Sequence, residues 1–140
     1  MELVVDANIL VAGALRAAVT RELLLDNRLT LWSPEHILVE SERNLSSLVL
    51  LPRLSNLSKA DVMDALDQIT DRIRVIPISG FRTQLQEAHR LAPHPEDAPY
   101  LALAMHLHCA LWSNDAGFKK QKLVPVFATH ELLAMLFPSR

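Results

Sequence analysis

A chain of 140 residues in which half the side chains are hydrophobic, 21% are charged and 3 are Gly makes one domain with a real core and excludes extensive disorder. The formal net charge of −2 gives no global attraction to nucleic acid, so a polyanionic ligand needs a local basic patch or bound cations. The single cysteine, Cys109, sits in the apolar stretch Leu107–Leu111, excludes an internal disulfide and fits a core thiol in a reducing cytoplasm.

The first segment, MELVVDANILVAGALRAA, is apolar but has no basic leader and carries Glu2, Asp6 and Asn8. It reads as neither a signal peptide nor a membrane span. Leu3-Val4-Val5 is a short run without alternation, as expected for a strand buried on both faces, and Leu29–Trp32 repeats the pattern. Ser33 then suits a helix cap with Pro34 at the first position, and Ile37, Leu38, Leu45 and Leu48 supply the apolar face. Pro52 breaks the chain before a second helix. Ser58 caps that one with Asp61 in capping-box spacing, and Val62, Leu66, Ile69 and Ile73 recur at helical intervals. Val75–Ile78 reads as a third buried strand. Phe81, Leu85 and Ala88 mark another helix, and Ala98, Leu101, Ala102 and Met105 the next. Ala110–Trp112 and Val124–Phe127 complete a set of five strands. Strands alternating with helices predict an α/β domain around a central, mostly parallel five-stranded sheet. Ligands of such sheets sit beyond the C-terminal strand ends, where strand order reverses.

Two of these strands end in an acid. Asp6 follows Val4-Val5 directly, and Asp115 follows Leu111-Trp112 after Ser113 and Asn114. In ALWSNDAGFKK the polar residues and Gly117 also suit a simple turn. Asp97 stands at the opening of a helix, where the helix dipole favours a carboxylate, and Glu96 competes for the same description. Glu40 lies at the edge of an apolar stripe, whereas Glu35 and Glu42 read as solvated. Four acids gathered at one sheet edge would repel unless a hard cation such as Mg²⁺ or Mn²⁺ offset them. Such a site suits phosphodiester hydrolysis.

VVDANILVAG, the helix with ILVESERNL, and EDAPYLALAMHLHCALWSND followed by GF together resemble the PIN-domain nucleases. They are especially similar to VapC-like toxins of prokaryotic toxin–antitoxin pairs. The resemblance covers almost the whole chain and implies one three-layer α/β/α PIN-like domain over residues 1–140. It implies metal-binding, catalytic roles for Asp6, Glu40, Asp97 and Asp115, with Asn8 and Ser113 as supporting polar residues. The activity implied is an Mg²⁺- or Mn²⁺-dependent endoribonuclease in which water attacks phosphorus, leaving 5′-phosphate and 3′-hydroxyl ends. The partners implied are RNA, an antitoxin protein and a second copy of the chain, with no membrane.

Lys119, Lys120 and Lys122 directly follow the last acid and are candidate RNA-backbone contacts, with Arg16 and Arg21 weaker ones. His94 and His130 are candidates for phosphate contact. His106 and His108 point in different directions from one helix and do not make a zinc site with Cys109. Tyr100 and Trp112 read as core. The apolar stretch Leu132–Phe137 suits either a dimer contact or docking onto its own sheet. The alternative function is a non-catalytic PIN-like module binding RNA or protein. Receiver-like and haloacid-dehalogenase-like readings need acids that D-x-N at Asp6–Asn8 does not supply.

Overall fold

Leu3, Val4 and Val5 are fully buried because their strand is the middle of the sheet. The computed structural model describes residues 1–15, 18–48 and 58–139; Arg16, Pro52 and the side chain of Leu48 lie outside the described part. Strand β1 (Glu2–Val5) lies between β2 (Thr30–Pro34) and β4 (Ala110–Trp112), with β3 (Ile73–Ile76) and β5 (Val126–Phe127) at the edges. Every pairing is parallel, and the register sets Val4 beside Trp32 and Val5 beside Trp112. The strand order β3-β2-β1-β4-β5 reverses at β1, so the crevice beyond β1 and β4 is the place for a ligand.

Helices α1 (Ala7–Leu15), α2 (Ala18–Leu24), α3 (Ile37–Leu48) and α4 (Lys59–Thr70) carry the chain from β1 through β2 to β3, and α1 packs against the other three. Helices α5 (Leu85–Leu91) and α6 (Ala98–Leu107) return it to β4, with α6 lying against β1 and β2. Right-handed crossovers running in opposite directions place these two groups on opposite faces. Helix α7 (Thr129–Leu136) follows β5. Each fully buried Leu or Ile of this core contributes about 1.5–3 kcal/mol.

Local chemistry explains where elements depart from expectation. Ser33 and Pro34 are the last residues of β2 rather than a helix start, and α3 begins at Ile37. The Ser33 hydroxyl donates to the Val5 carbonyl at 2.9 Å, tying β2 to β1, and this cross-strand bond outweighs its capping ability. Strand β3 begins at Ile73, which the helical pattern had claimed for α4, and it ends at Ile76. As an edge strand it leaves Arg74 and Val75 exposed rather than buried, and the Arg74 guanidinium lies 5.3 Å from the Trp32 ring centroid. Strand β5 is shorter than expected, starting at Val126. Ser58 does cap α4, accepting from the Asp61 N–H at 3.3 Å.

Helices α1, α2 and α7 had no sequence assignment. In α1, Ile9, Leu10, Val11, Gly13 and Ala14 are buried together, so the apolar run carries no amphipathic period. A Cβ on Gly13 would stand 2.6 Å from Leu24 and 3.2 Å from Ile69, so its absence lets α2 and α4 approach α1 closely. In α7, Leu132 is fully buried while Leu133, Leu136 and Phe137 pack against the core, so this stretch docks onto its own domain. Among the described residues no helix is long and apolar enough to cross a membrane.

Candidate metal centre

Asp6 is the first residue past β1, and both neighbouring strands hold its peptide. Its N–H donates to the Trp112 carbonyl at 3.3 Å, and the preceding Val5 carbonyl accepts from Ser33. The residue is 7% exposed. It accepts from the Ile9 N–H at 3.2 Å, with further bonds from the Ser113 side chain and the Asn8 backbone N–H. These two amides open α1, whose N-terminal dipole favours an anion. Burial nevertheless pushes the carboxyl up to about 6 against those hydrogen bonds, and the charge of Asp97 adds to the rise.

Beyond β4, the buried Ser113 hydroxyl serves two acids. It bonds Asp6 and accepts from the Asp115 N–H at 3.1 Å. The exposed Asp115 accepts from the Gly117 N–H at 2.9 Å and caps a 3₁₀ turn over Ala116–Lys120. The turn reading of ALWSNDAGFKK is therefore correct for the backbone, and it leaves Asp115 at the mouth of the crevice beside Asp97. Asn114 accepts from the Thr129 N–H at 2.8 Å, anchoring the turn to α7.

Asp97 precedes α6 and is half-buried, and its side chain makes no capping hydrogen bond. A plain helix-start acid would make that bond. Its carboxyl is pushed up to about 6, first by burial and then by the charges of Asp115 and Glu96, with a smaller rise from Glu40; His94 opposes the shift. Glu40, in the first turn of α3, accepts from the Tyr100 hydroxyl at 2.5 Å, and His36 Nε2 lies 3.5 Å from the same oxygen. Burial, then this bond, pushes the Tyr100 phenol far above its ordinary range, so Tyr100 stays a neutral donor. Asp6, Glu40, Asp97 and Asp115 thus meet at one end of the sheet. His94, Asp97 and Asp115 each offer a ligand atom within 4.8 Å of the others.

Other expected residues fall into different positions. The Asn8 side chain is exposed, and its backbone rather than its amide holds Asp6. Lys119 pairs with Glu131, Lys122 donates to the Lys119 carbonyl at 3.3 Å, and Lys120 is exposed. Arg21 donates to the Gly13 and Ala14 carbonyls at 2.7 and 3.0 Å, closing the C-terminus of α1 instead of facing the site. Glu96 is exposed and shares with Glu40 a cleft of about 980 Å³, lined also by His36, Val39, Arg43 and Ile78. Tyr100 and His36 were missed as site residues. The signal for Tyr100 was its place three residues after Asp97, which sets both on one side of α6.

Compared with known families, residues 4–132 match the PIN domain. The chain belongs to the PIN domain family. Among solved structures, this PIN domain is similar to a chain of VapBC2 from Rickettsia felis, crystallised bound to a DNA fragment from their promoter. The TM-score is 0.62 at 18% identity, covering 91% of this chain and 98% of that chain. At that identity the likeness concerns the fold. Comparison with curated proteins gives no match.

The donors of this PIN domain fit a hard cation. Among the described residues no Lys or Arg forms an ion pair with Asp6, Glu40, Asp97 or Asp115. The carboxyls of Asp6 and Asp97 are raised first by burial and then by neighbouring acids, and no basic side chain among the described residues offsets the rise at Asp6. Carboxylate oxygens at such a site are what Mg²⁺ or Mn²⁺ prefers.

Proposed function

We propose that this PIN domain is an Mg²⁺- or Mn²⁺-dependent endoribonuclease, acting as the toxin of a toxin–antitoxin pair. The observation that carries the reading is the gathering of Asp6, Asp97 and Asp115 beyond β1 and β4, with Glu40 of α3 close enough to act on Asp97, and with no Lys or Arg among the described residues paired to any of the four. A bound divalent ion supplies a water of lowered pKa and positive charge for the scissile phosphate. Asp6, Asp97 and Asp115 hold the ion, with Asp6 fixed by two strands and the α1 amides. Tyr100 orients Glu40, and Ser113 sets the spacing between Asp6 and Asp115. Lys120 and Lys122, which follow Asp115 in the chain, are the proposed contacts to the RNA backbone. The products carry 5′-phosphate and 3′-hydroxyl ends.

The test is incubation with structured RNAs plus Mg²⁺, Mn²⁺ or chelator, comparing the wild type with Asp6→Ala and sequencing the product ends. Cleavage that survives prolonged chelation overturns the metal mechanism.

The fold shared with a chain of the VapBC2 complex supports an antitoxin partner. An arginine of that partner reaching the four carboxylates would gain bidentate bonds that a lysine could not match. The same reading takes the chain as a homodimer. A monomer in sedimentation at micromolar concentration counts against the dimer.

A further inference from the structure

We propose that His94 is a nitrogen ligand of the cation at this centre, making it a mixed oxygen–nitrogen site rather than one of carboxylates alone. The inference rests on the metal-centre reading above and adds a residue to it. Among the described residues, His94, Asp97 and Asp115 are the one group of three ligating side chains whose donor atoms converge, all within 4.8 Å. The imidazole does not pair directly with either acid, since no ion pair of the described residues includes His94. Two ligands of one ion, each about 2.1 Å from it, stand up to about 4.2 Å apart. Donor atoms within 4.8 Å of one another therefore need only a small closing movement to share one ion.

The chain also fixes the loop that carries the imidazole. Pro93 and Pro95 bracket His94, and its φ of −136° and ψ of 152° are the extended values that a following proline enforces. Its carbonyl accepts from the Asp97 N–H at 3.0 Å, so the two residues share one 3₁₀ turn. On the other side lies Gly117. A Cβ there would stand 2.9 Å from the Pro93 Cβ and 3.1 Å from the Asp115 Oδ1. The missing methyl lets the His94 loop and the Asp115 turn close on each other. His36, by contrast, is already engaged with Glu40.

An imidazole changes which ion the centre prefers. Nitrogen donors suit Mn²⁺, and still more Co²⁺ or Ni²⁺, better than Mg²⁺. His94 therefore biases the site toward Mn²⁺ within the Mg²⁺/Mn²⁺ pair.

Two measurements on the whole chain test this. Electron spin-echo spectroscopy of the Mn²⁺-loaded wild type should show ¹⁴N modulation from a directly bound imidazole, lost in His94→Gln and retained in His130→Gln. Calorimetry should show Mn²⁺ affinity falling about tenfold in His94→Gln while Mg²⁺ affinity barely changes. His94 is exposed, so the metal-free melting temperature of the variant should match the wild type and exclude a folding defect. Mn²⁺ binding that needs Asp6 and Asp115 but shows no nitrogen modulation overturns the proposal and leaves the carboxylate centre standing. Modulation that persists in His94→Gln overturns it in favour of another histidine. Absence of any Mn²⁺ binding overturns both readings together.

Discussion

Two aspartates at opposite ends of the sheet meet opposite treatment. Asp26 lies just before β2, at the N-terminal edge, and Asp6 just after β1, at the C-terminal edge. Asp26 accepts from the Arg28 N–H at 2.8 Å and from its guanidinium at 2.8 and 3.1 Å, which together hold its carboxyl down at about 2. Arg28 in turn donates to the Leu136 carbonyl at 2.9 Å and stacks 4.6 Å over Phe137, so this acid is part of how α7 is fastened. Asp6 has hydrogen-bond donors but no cation among the described residues, and the charge of Asp97 acts against it. Where an acid is structural, the chain supplies the positive partner itself. At Asp6 the chain supplies hydrogen-bond donors and leaves the charge without a cation among the described residues.

The largest effect that could break this contrast is on cleavage. Asp6→Asn, Asp97→Asn and Asp115→Asn should each lower RNA cleavage at least about 100-fold, as loss of a charge-stabilising group does. Asp26→Asn should leave it unchanged. An Asp115→Asn variant with full activity would reduce Asp115 to a turn residue.

Stability should move the other way. At neutral pH, Asp6→Asn removes a buried charge and should raise the melting temperature of the metal-free protein by about 5 °C, from about 2 kcal/mol of relieved desolvation. Asp26→Asn should lower it slightly. Added Mg²⁺ should stabilise the wild type and much less the Asp6 variant, because a ligand stabilises only the state that binds it. Asp64→Asn, on the exposed face of α4, is the neutral control.

The two acids should also give opposite pH dependence. Asp6 has a folded pKa of about 6 against 3.8, so the folded state binds its proton more tightly. Its contribution is fully present below about 4 and is lost as pH rises through 6, by about 2–3 kcal/mol at most. Asp26, at about 2, contributes stability above about 4 that is lost as pH falls toward 2. Melting scans of the metal-free protein should therefore decline between pH 4 and 7; Asp6→Asn should remove part of that decline, and Asp97, also raised to about 6, should account for a further part. Saturating Mn²⁺ should flatten it too, with protons released on binding that calorimetry in two buffers can count.

The smallest change expected is at Tyr100→Phe, which deletes the donor to Glu40. Metal affinity should fall about tenfold, as for other outer hydrogen bonds at metal sites, while folding is retained. An unchanged affinity would leave Glu40 outside the centre.

The strand-end acids were legible because a parallel sheet buries its strands on both faces, so the polar residue that stops an apolar run is conspicuous. D-A-N after β1 and S-N-D after β4 both announced themselves in that way. Glu40 was legible only as an acid at the edge of a stripe. Ser33-Pro34 was misread because serine and proline serve a strand end as well as a helix start, and only the bond to the Val5 carbonyl decides between them. The edge position of β3 depends on pairing order, which no local pattern encodes. Tyr100 escaped for a similar reason, and His94 was legible only as a candidate for phosphate contact. Tyr100 meets Glu40 across 60 positions of chain, and the His94 loop lies beside the Asp115 turn where Gly117 leaves room for Pro93.

The single hydroxyl of Ser113 sets a limit on how this centre can vary. It bonds Asp6 just beyond β1 and accepts from the Asp115 amide beyond β4, and the two strands are already locked with Val5 beside Trp112. The gap between these acids is a property of the sheet, as rigid as the ladder itself. Glu40 is delivered by a helix on the rim of an open cleft. Anyone wishing to retarget such a protein can therefore recut the α3 wall without disturbing the gauge between the two strand-end carboxylates. Removing one oxygen atom at position 113 would loosen both at once.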